Sequence, residues 1–212
     1  MPADAASLIV DANAPPITRA LAQFVAVHSS RGWDDGVERE AMRTVLNWIG
    51  CAIGAARHPA ADAALAAMHE LAPSAQATIL GRSERVDMAS AALVNGITSH
   101  TFDFDDTHLK TIIHPGGPVA SAAFALGEHM GASGRQFVDA IVLGADVACR
   151  VGSAIYPDHY DRGWHITGST GMLGAAAACA RLLGLDVEKT TMALGIAASQ
   201  PIGVREQFGS MT

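Results

Sequence analysis

Aromatic residues make up only 5% of this 212-residue chain, and charged residues 17%. Basic residues are outnumbered, 14 Lys and Arg against 21 Asp and Glu, and no basic cluster occurs. A chain of net charge −7 is a poor match for a nucleic-acid backbone. An anionic ligand must therefore find its countercharge locally, from Lys110, Arg162, Arg205 or protonated histidines. Cysteine is scarce as well. Cys51, Cys149 and Cys179 lie far apart in apolar runs, without a C-x-x-C pair. That usage reads as reduced core thiols of a cytoplasmic protein. The longest apolar run, residues 171–180, falls well short of the about 20 residues a membrane span needs. The opening MPADAASLIVDANAPP has acidic residues and no basic n-region, so it does not read as a secretory signal. Strand-like alternation is missing, and so are dinucleotide and phosphate loops.

What is present is apolar. Half of the residues are hydrophobic and mean hydropathy is +0.23, which excludes disorder and fits a subunit that buries surface in an oligomer. Residues 1–16 read as a flexible arm ending in Pro15-Pro16, and 17–212 as one helical domain. Apolar residues at helical spacing predict helices over 17–28, 37–56 and 60–71, the last opened by Pro59. Gly50 and Gly54 share a face of the second helix and predict a closely packed neighbour there. Residues 29–36 read as a turn and 78–81 as a brief extended segment. Asp87 caps a further helix, and helices follow over 119–130 and 135–151, where Ser133 and Gln136 form a capping box. A polar loop spans 156–168. A helix over 169–183, rich in Gly and Ala, is expected to be buried on all sides. Gly184 ends it and Asp186 caps the last, to about Ser199. The fold class is all-α, a close-packed bundle of helices rich in small residues.

Polar chemistry concentrates in NGITSHTFDFDDTHLKTIIHPGGP, residues 95–118. If 99–108 is a helix or its end, His100, Asp103 and Thr107 fall on one face, Asp106 borders it, and Asp105 points elsewhere. Carboxylates this close cannot all ionise freely, which is a setting for acid–base chemistry near neutral pH. His114 returns in a Gly-Gly-Pro turn. Bland readings compete residue by residue, since Asp often caps a helix and His beside Pro often sits in a turn. The D-x-D-D pattern with a histidine also suits Mg²⁺ or Mn²⁺, but no second acidic cluster supplies the remaining ligands. It also resembles the acid of helical terpene cyclases, which the scarcity of aromatics argues against. A second polar island, DHYDRGWHITGST (158–170), offers His159, Tyr160, Arg162, His165 and Thr167. Its glycines would admit an anion at the start of a helix from Ser169.

Five segments together resemble the MmgE/PrpD family: AALVNGITSHTFDFDDTH, HPGGPVASAAFALGEHMGASG, GADVACRVG, RGWHITGSTGMLGAAAACARLLGLD and ALGIAASQPIGVREQFGSMT. The family includes 2-methylcitrate dehydratase and cis-aconitate decarboxylase. The resemblance implies a cofactor-independent lyase without a resident metal, acting on small di- or tricarboxylates as a homodimer. By motif position, Asp103, Thr107, His114 and His165 match residues that line the family's active site. The expected catalytic groups are therefore His114, His165 and Asp103, with Thr107, Arg162 and His108 binding substrate. The resemblance also implies longer proteins, with a lysine-bearing segment directly after FGSMT and an α/β lid, so the chain is expected to be the N-terminal part of the helical domain. HLKTII, between Thr107 and His114, is one residue longer than expected for the decarboxylase branch. The expected reaction is dehydration of a 2-methylcitrate-like hydroxy acid. A cis-aconitate-type decarboxylase and a non-catalytic carboxylate-binding or dimerisation module are the alternatives.

Overall fold

The computed structural model describes residues 16–28, 33–71 and 74–208. The expected arm over 1–16 lies outside these residues except for Pro16, as do the residues around Ser29 in the expected turn. Nine helices are present among the described residues: α1 (Ile17–Val27), α2 (Asp35–Gly54), α3 (Pro59–Leu71), α4 (Met88–His100), α5 (Gly116–Met130), α6 (Gly134–Ile155), α7 (Asp158–Asp161), α8 (Ile166–Leu182) and α9 (Val187–Ala198). The all-α expectation holds. A two-residue hairpin interrupts it, with β1 (Ala77–Thr78) antiparallel to β2 (Arg85–Val86).

The helix starts follow from local chemistry. Asp34, Asp87 and Asp186 each accept hydrogen bonds from backbone N–H groups in the first turn of α2, α4 and α9. Ser133 and Gln136 close the expected capping box on α6. Gly131 and Gly184 end α5 and α8 with φ of 69° and 61°, the left-handed region that favours glycine. Three starts come earlier than the apolar pattern indicates. α2 begins at Asp35 because Asp34 caps it. α5 begins at Gly116, whose N–H donates to Asp106 Oδ1 at 2.9 Å. Its Pro118 sits in the first turn, where a missing N–H costs nothing. α8 begins at Ile166, so Ser169 lies inside the helix.

α8 is the central helix. It packs on α5, α6 and α9, and none of its residues is exposed. Its crossing with α6 depends on paired glycines. A Cβ on Gly144 would fall 2.6 Å from the Gly174 carbonyl oxygen, and one on Gly174 would fall 2.7 Å from that of Gly144. The main core lies beside this crossing, with Trp48, Val119, Ile141, Ala178 and Leu182 in contact. Trp48 Nε1 donates to Ser121 Oγ at 2.9 Å, so its one polar atom is satisfied inside. The glycine pair expected to receive a neighbour is not used that way. Gly50 and Gly54 have nothing within 4 Å of a built Cβ. That face of α2 is open, because its packed face carries Ala41, Val45, Trp48 and Ala52 instead.

Candidate active site

α4 ends at His100 and hands its imidazole to a loop, 101–115, that leads into α5. The expected helical face through Asp103 and Thr107 does not form. Asp103 N–H donates to the His100 carbonyl at 3.0 Å, and Asp103 itself has φ of 57°. Aspartate tolerates this left-handed turn better than most residues. The turn reverses the chain, so Asp103 and Asp105 both come back over the end of α4.

Asp105, expected to point elsewhere, is the buried carboxylate of the site. Its side chain is 2% exposed, against 75% for Asp103. With its Nδ1 protonated, His100 donates to Asp105, both of whose oxygens lie 3.0 Å away. The same carboxylate lies 3.5 Å from His114 Nδ1. Asp103 Oδ1 lies 3.8 Å from His114 Nε2 and 4.0 Å from His100 Nδ1. Thr107 Oγ1 is 3.3 Å from His114 Nδ1, within hydrogen-bonding distance. The backbone N–H of His114 donates to Thr167 Oγ1 at 3.1 Å, which ties the loop to the first turn of α8.

His165 arrives from the other side as the residue preceding α8. Its ring lies 6.4 Å from that of His100, and the His100 and His114 rings are 5.0 Å apart. The chain beyond α9 returns to hold it. His165 N–H donates to the Gly203 carbonyl at 3.1 Å, Trp164 pairs with Val204, and Phe208 meets the imidazole edge-on at 5.0 Å. Gly168 permits this return, since a Cβ there would sit 2.7 Å from the Ile202 carbonyl oxygen. Gly168 of the second island therefore admits the protein's own backbone. The helix start expected at Ser169 does not occur: Ser169 lies inside α8, with its Oγ 2.8 Å from His159 Nε2.

His100 and His165 have opposed electrostatics. The hydrogen bond to Asp105 holds His100 above the ordinary imidazole range, against the effect of burial. Burial pushes His165 below it, and the neighbouring His100 and His114 add to that shift. Burial also pushes the Asp106 carboxyl up, opposed by the hydrogen bond from Gly116 N–H. Cys149 and Cys179 are raised to about 11 by burial, in keeping with inert thiols.

Of the six residues expected from sequence, Asp103, Thr107, His114 and His165 come together. His108 and Arg162 do not join them. The His108 imidazole turns to Thr111 Oγ1 at 2.7 Å, and its backbone pairs with Ile113 to close the loop on itself. Arg162 lines a groove of about 390 Å³ with Tyr156, Asp158 and His159. Arg205 stands over the Tyr160 ring at 4.6 Å. Sequence reasoning left His100 and Asp105 out of the catalytic set. No signal in the sequence marked them, since the inversion that leaves Phe102 and Phe104 exposed and buries Asp105 is visible only in the fold. His100, Asp103, Asp105 and His114 could hold a metal ion, as each offers one ligand atom and the four atoms lie within 4.8 Å of one another.

The profile of the MmgE/PrpD N-terminal domain matches residues 19–212. The chain belongs to the MmgE/PrpD family. It is similar to a cis-aconitate decarboxylase-like protein, oryM, of Aspergillus oryzae, at 32% identity over 79% of this chain and 36% of that protein. Cis-aconitate decarboxylase of Aspergillus terreus is 30% identical over 84% of this chain and 37% of its own length. The human cis-aconitate decarboxylase is 36% identical over 58% of this chain and 26% of its own. The matched region is thus little more than a third of the two fungal relatives. In this MmgE/PrpD chain, no described helix is long and apolar enough to cross a membrane.

Proposed function

We propose that the chain forms part of a lyase site that moves protons on small di- or tricarboxylates. One observation supports this above the rest. His100, His114 and His165 reach one place from three segments, with Asp105 buried against two of them. His100 and His165, shifted in opposite directions, set a proton-holding and a proton-accepting imidazole beside His114. His114 and His165 are the proton-transfer pair, with His165 neutral near pH 7. Asp103 orients His114, and Thr107 hydrogen-bonds the substrate. His100, whose proton Asp105 favours, offsets substrate carboxylate.

The names of the relatives make cis-aconitate the leading substrate. Loss of CO₂ from its methylene carboxylate would push the electron pair through the double bond, and an imidazolium would return a proton to the far carbon. Dehydration of a 2-methylcitrate-like acid is the second reading, favoured by the longer HLKTII segment. There His165 would take a proton α to a carboxylate, and His114 would protonate the departing hydroxyl, which leaves as water. The same reading makes the protein a cytoplasmic homodimer, which light scattering on the purified protein would test.

A proton-NMR time course with cis-aconitate, 2-methylcitrate and citrate in EDTA tests the proposal, and the product names the reaction. Carboxylate binding without turnover would reduce the chain to a binding module. Unchanged turnover in His165→Ala would remove His165 from the mechanism.

A further inference from the structure

We infer that His100, His114, Asp103 and Asp105 form a binding site for one divalent first-row transition-metal ion, with Zn²⁺ as the best-matched probe. The donor spacing supports this. A four-coordinate zinc with nitrogen and oxygen ligands sets donors about 3.4 Å apart. With His114 ligating through Nε2, the His–Asp donor pairs lie 3.0, 3.8 and 4.0 Å apart, on both sides of that value, and one ligand atom from each of the four residues lies within 4.8 Å of the others. The donors come from the end of α4, from the loop that holds Asp103 and Asp105, and from the residue before Pro115, so separate segments of the chain contribute to one cluster. Small side-chain rotations bring them onto one ion.

Charge supports it equally. Two carboxylates and two neutral imidazoles together cancel a 2+ ion. Among the described residues, no lysine or arginine pairs with Asp103 or Asp105 to do so instead. Two nitrogen donors select against Mg²⁺ and Ca²⁺, which want oxygen. The reading of the D-x-D-D pattern as a magnesium cluster lacked a second set of acidic ligands, and the histidines supply the missing donors for a softer ion. Thr107 Oγ1, beside His114 Nδ1, would fix the ring while Nε2 ligates, the usual outer partner of a metal-bound imidazole.

The binding claim stands apart from the lyase reading. Its consequence rests on that reading: a bound ion occupies His114 and His100 and so blocks proton transfer, which makes Zn²⁺ an inhibitor that EDTA reverses.

The test is isothermal titration of EDTA-stripped protein with ZnCl₂ and, separately, MgCl₂, without substrate. One Zn²⁺ per chain is expected and no Mg²⁺ heat. Asp103→Asn, at an exposed position that does not threaten folding, should weaken Zn²⁺ by about tenfold, and the double variant His100→Ala/His114→Ala by more. Co²⁺ in place of Zn²⁺ should give visible absorption of tetrahedral type, lost in the same variants. Absence of Zn²⁺ binding overturns the inference. So does unchanged affinity in Asp103→Asn together with the double variant, which would send the ion elsewhere, for instance to the cysteines. Zinc binding with no turnover on any acid would sink the lyase reading and leave the metal site standing. Turnover that saturating Zn²⁺ leaves intact would overturn the inhibition alone.

Discussion

Asp105 and His100 offer the most direct test at the scale of single residues. Asp105→Asn keeps the size of the side chain and removes its charge. Without that carboxylate, burial is opposed only by the weaker pull of Asp103, so the pKa of His100 should fall. An NMR titration of the His100 ring in EDTA would show this. The sign for stability follows. A raised folded-state pKa contributes stability that is fully present below the ordinary value of 6.5 and is lost as pH rises through the folded value. The gap in stability between wild type and Asp105→Asn should therefore narrow on going from pH 6 to alkaline pH. A mutant whose gap widens instead would break the assignment. His165 has the opposite slope: its depressed pKa contributes stability above 6.5 that is lost as pH falls through its folded value.

Among the elements, the α6–α8 crossing and the open face of α2 predict opposite outcomes for the same substitution. Gly174→Ala puts a methyl 2.7 Å from the Gly144 carbonyl oxygen and should destabilise by roughly 1–3 kcal/mol. Gly50→Ala meets nothing within 4 Å and should stabilise by roughly 0.5–1 kcal/mol, because alanine is the better helix former. Thermal melts of the two variants check both. The hairpin adds a pH-dependent case. Arg82, 9% exposed, joins Glu84 and Asp62 and pins the β1–β2 turn to α3. Its hydrogen bond holds the Glu84 carboxyl down from 4.5 to about 2. That stability is present above 4.5 and lost as pH falls through about 2, so Glu84→Gln should flatten the acid limb of the stability curve over that window.

Helix starts at Asp87 and Ser133 were legible because a cap and the turn it closes are neighbours in sequence. The membership of Asp103, Thr107, His114 and His165 in one site was legible through the family motif. Loop 101–115 was not legible. The left-handed turn at Asp103 and the burial of Asp105 depend on His100 and His114, which no periodicity links. Gly50 and Gly54 were misread for a related reason: spacing shows that two glycines share a face, and only the packed fold shows which face is covered. The short α7 lay hidden in a segment with no apolar repeat.

For the molecule as a whole, the segment after α9 matters more than its length suggests. It packs little apolar surface but buries His165 through Gly203 and Phe208. A chain cut after Gln200 should keep its helical circular dichroism, while the pKa of His165 moves back up toward the ordinary value as water reaches the ring. NMR titration of that ring, in EDTA, would decide. An unmoved titration would mean that burial by this segment is not what holds His165 down.

The central position of α8 also sets how the protein opens. With no exposed residue, its amides can exchange with deuterium only when the α5, α6 and α9 contacts separate, which is close to global unfolding. Residues 201–208 are mostly at the surface and have few bonds to break. His165 stands at the seam between a slowly and a rapidly exchanging part of the described residues. Deuterium uptake should step sharply across it, so the imidazole is fixed on one side and released on the other without any helix having to move.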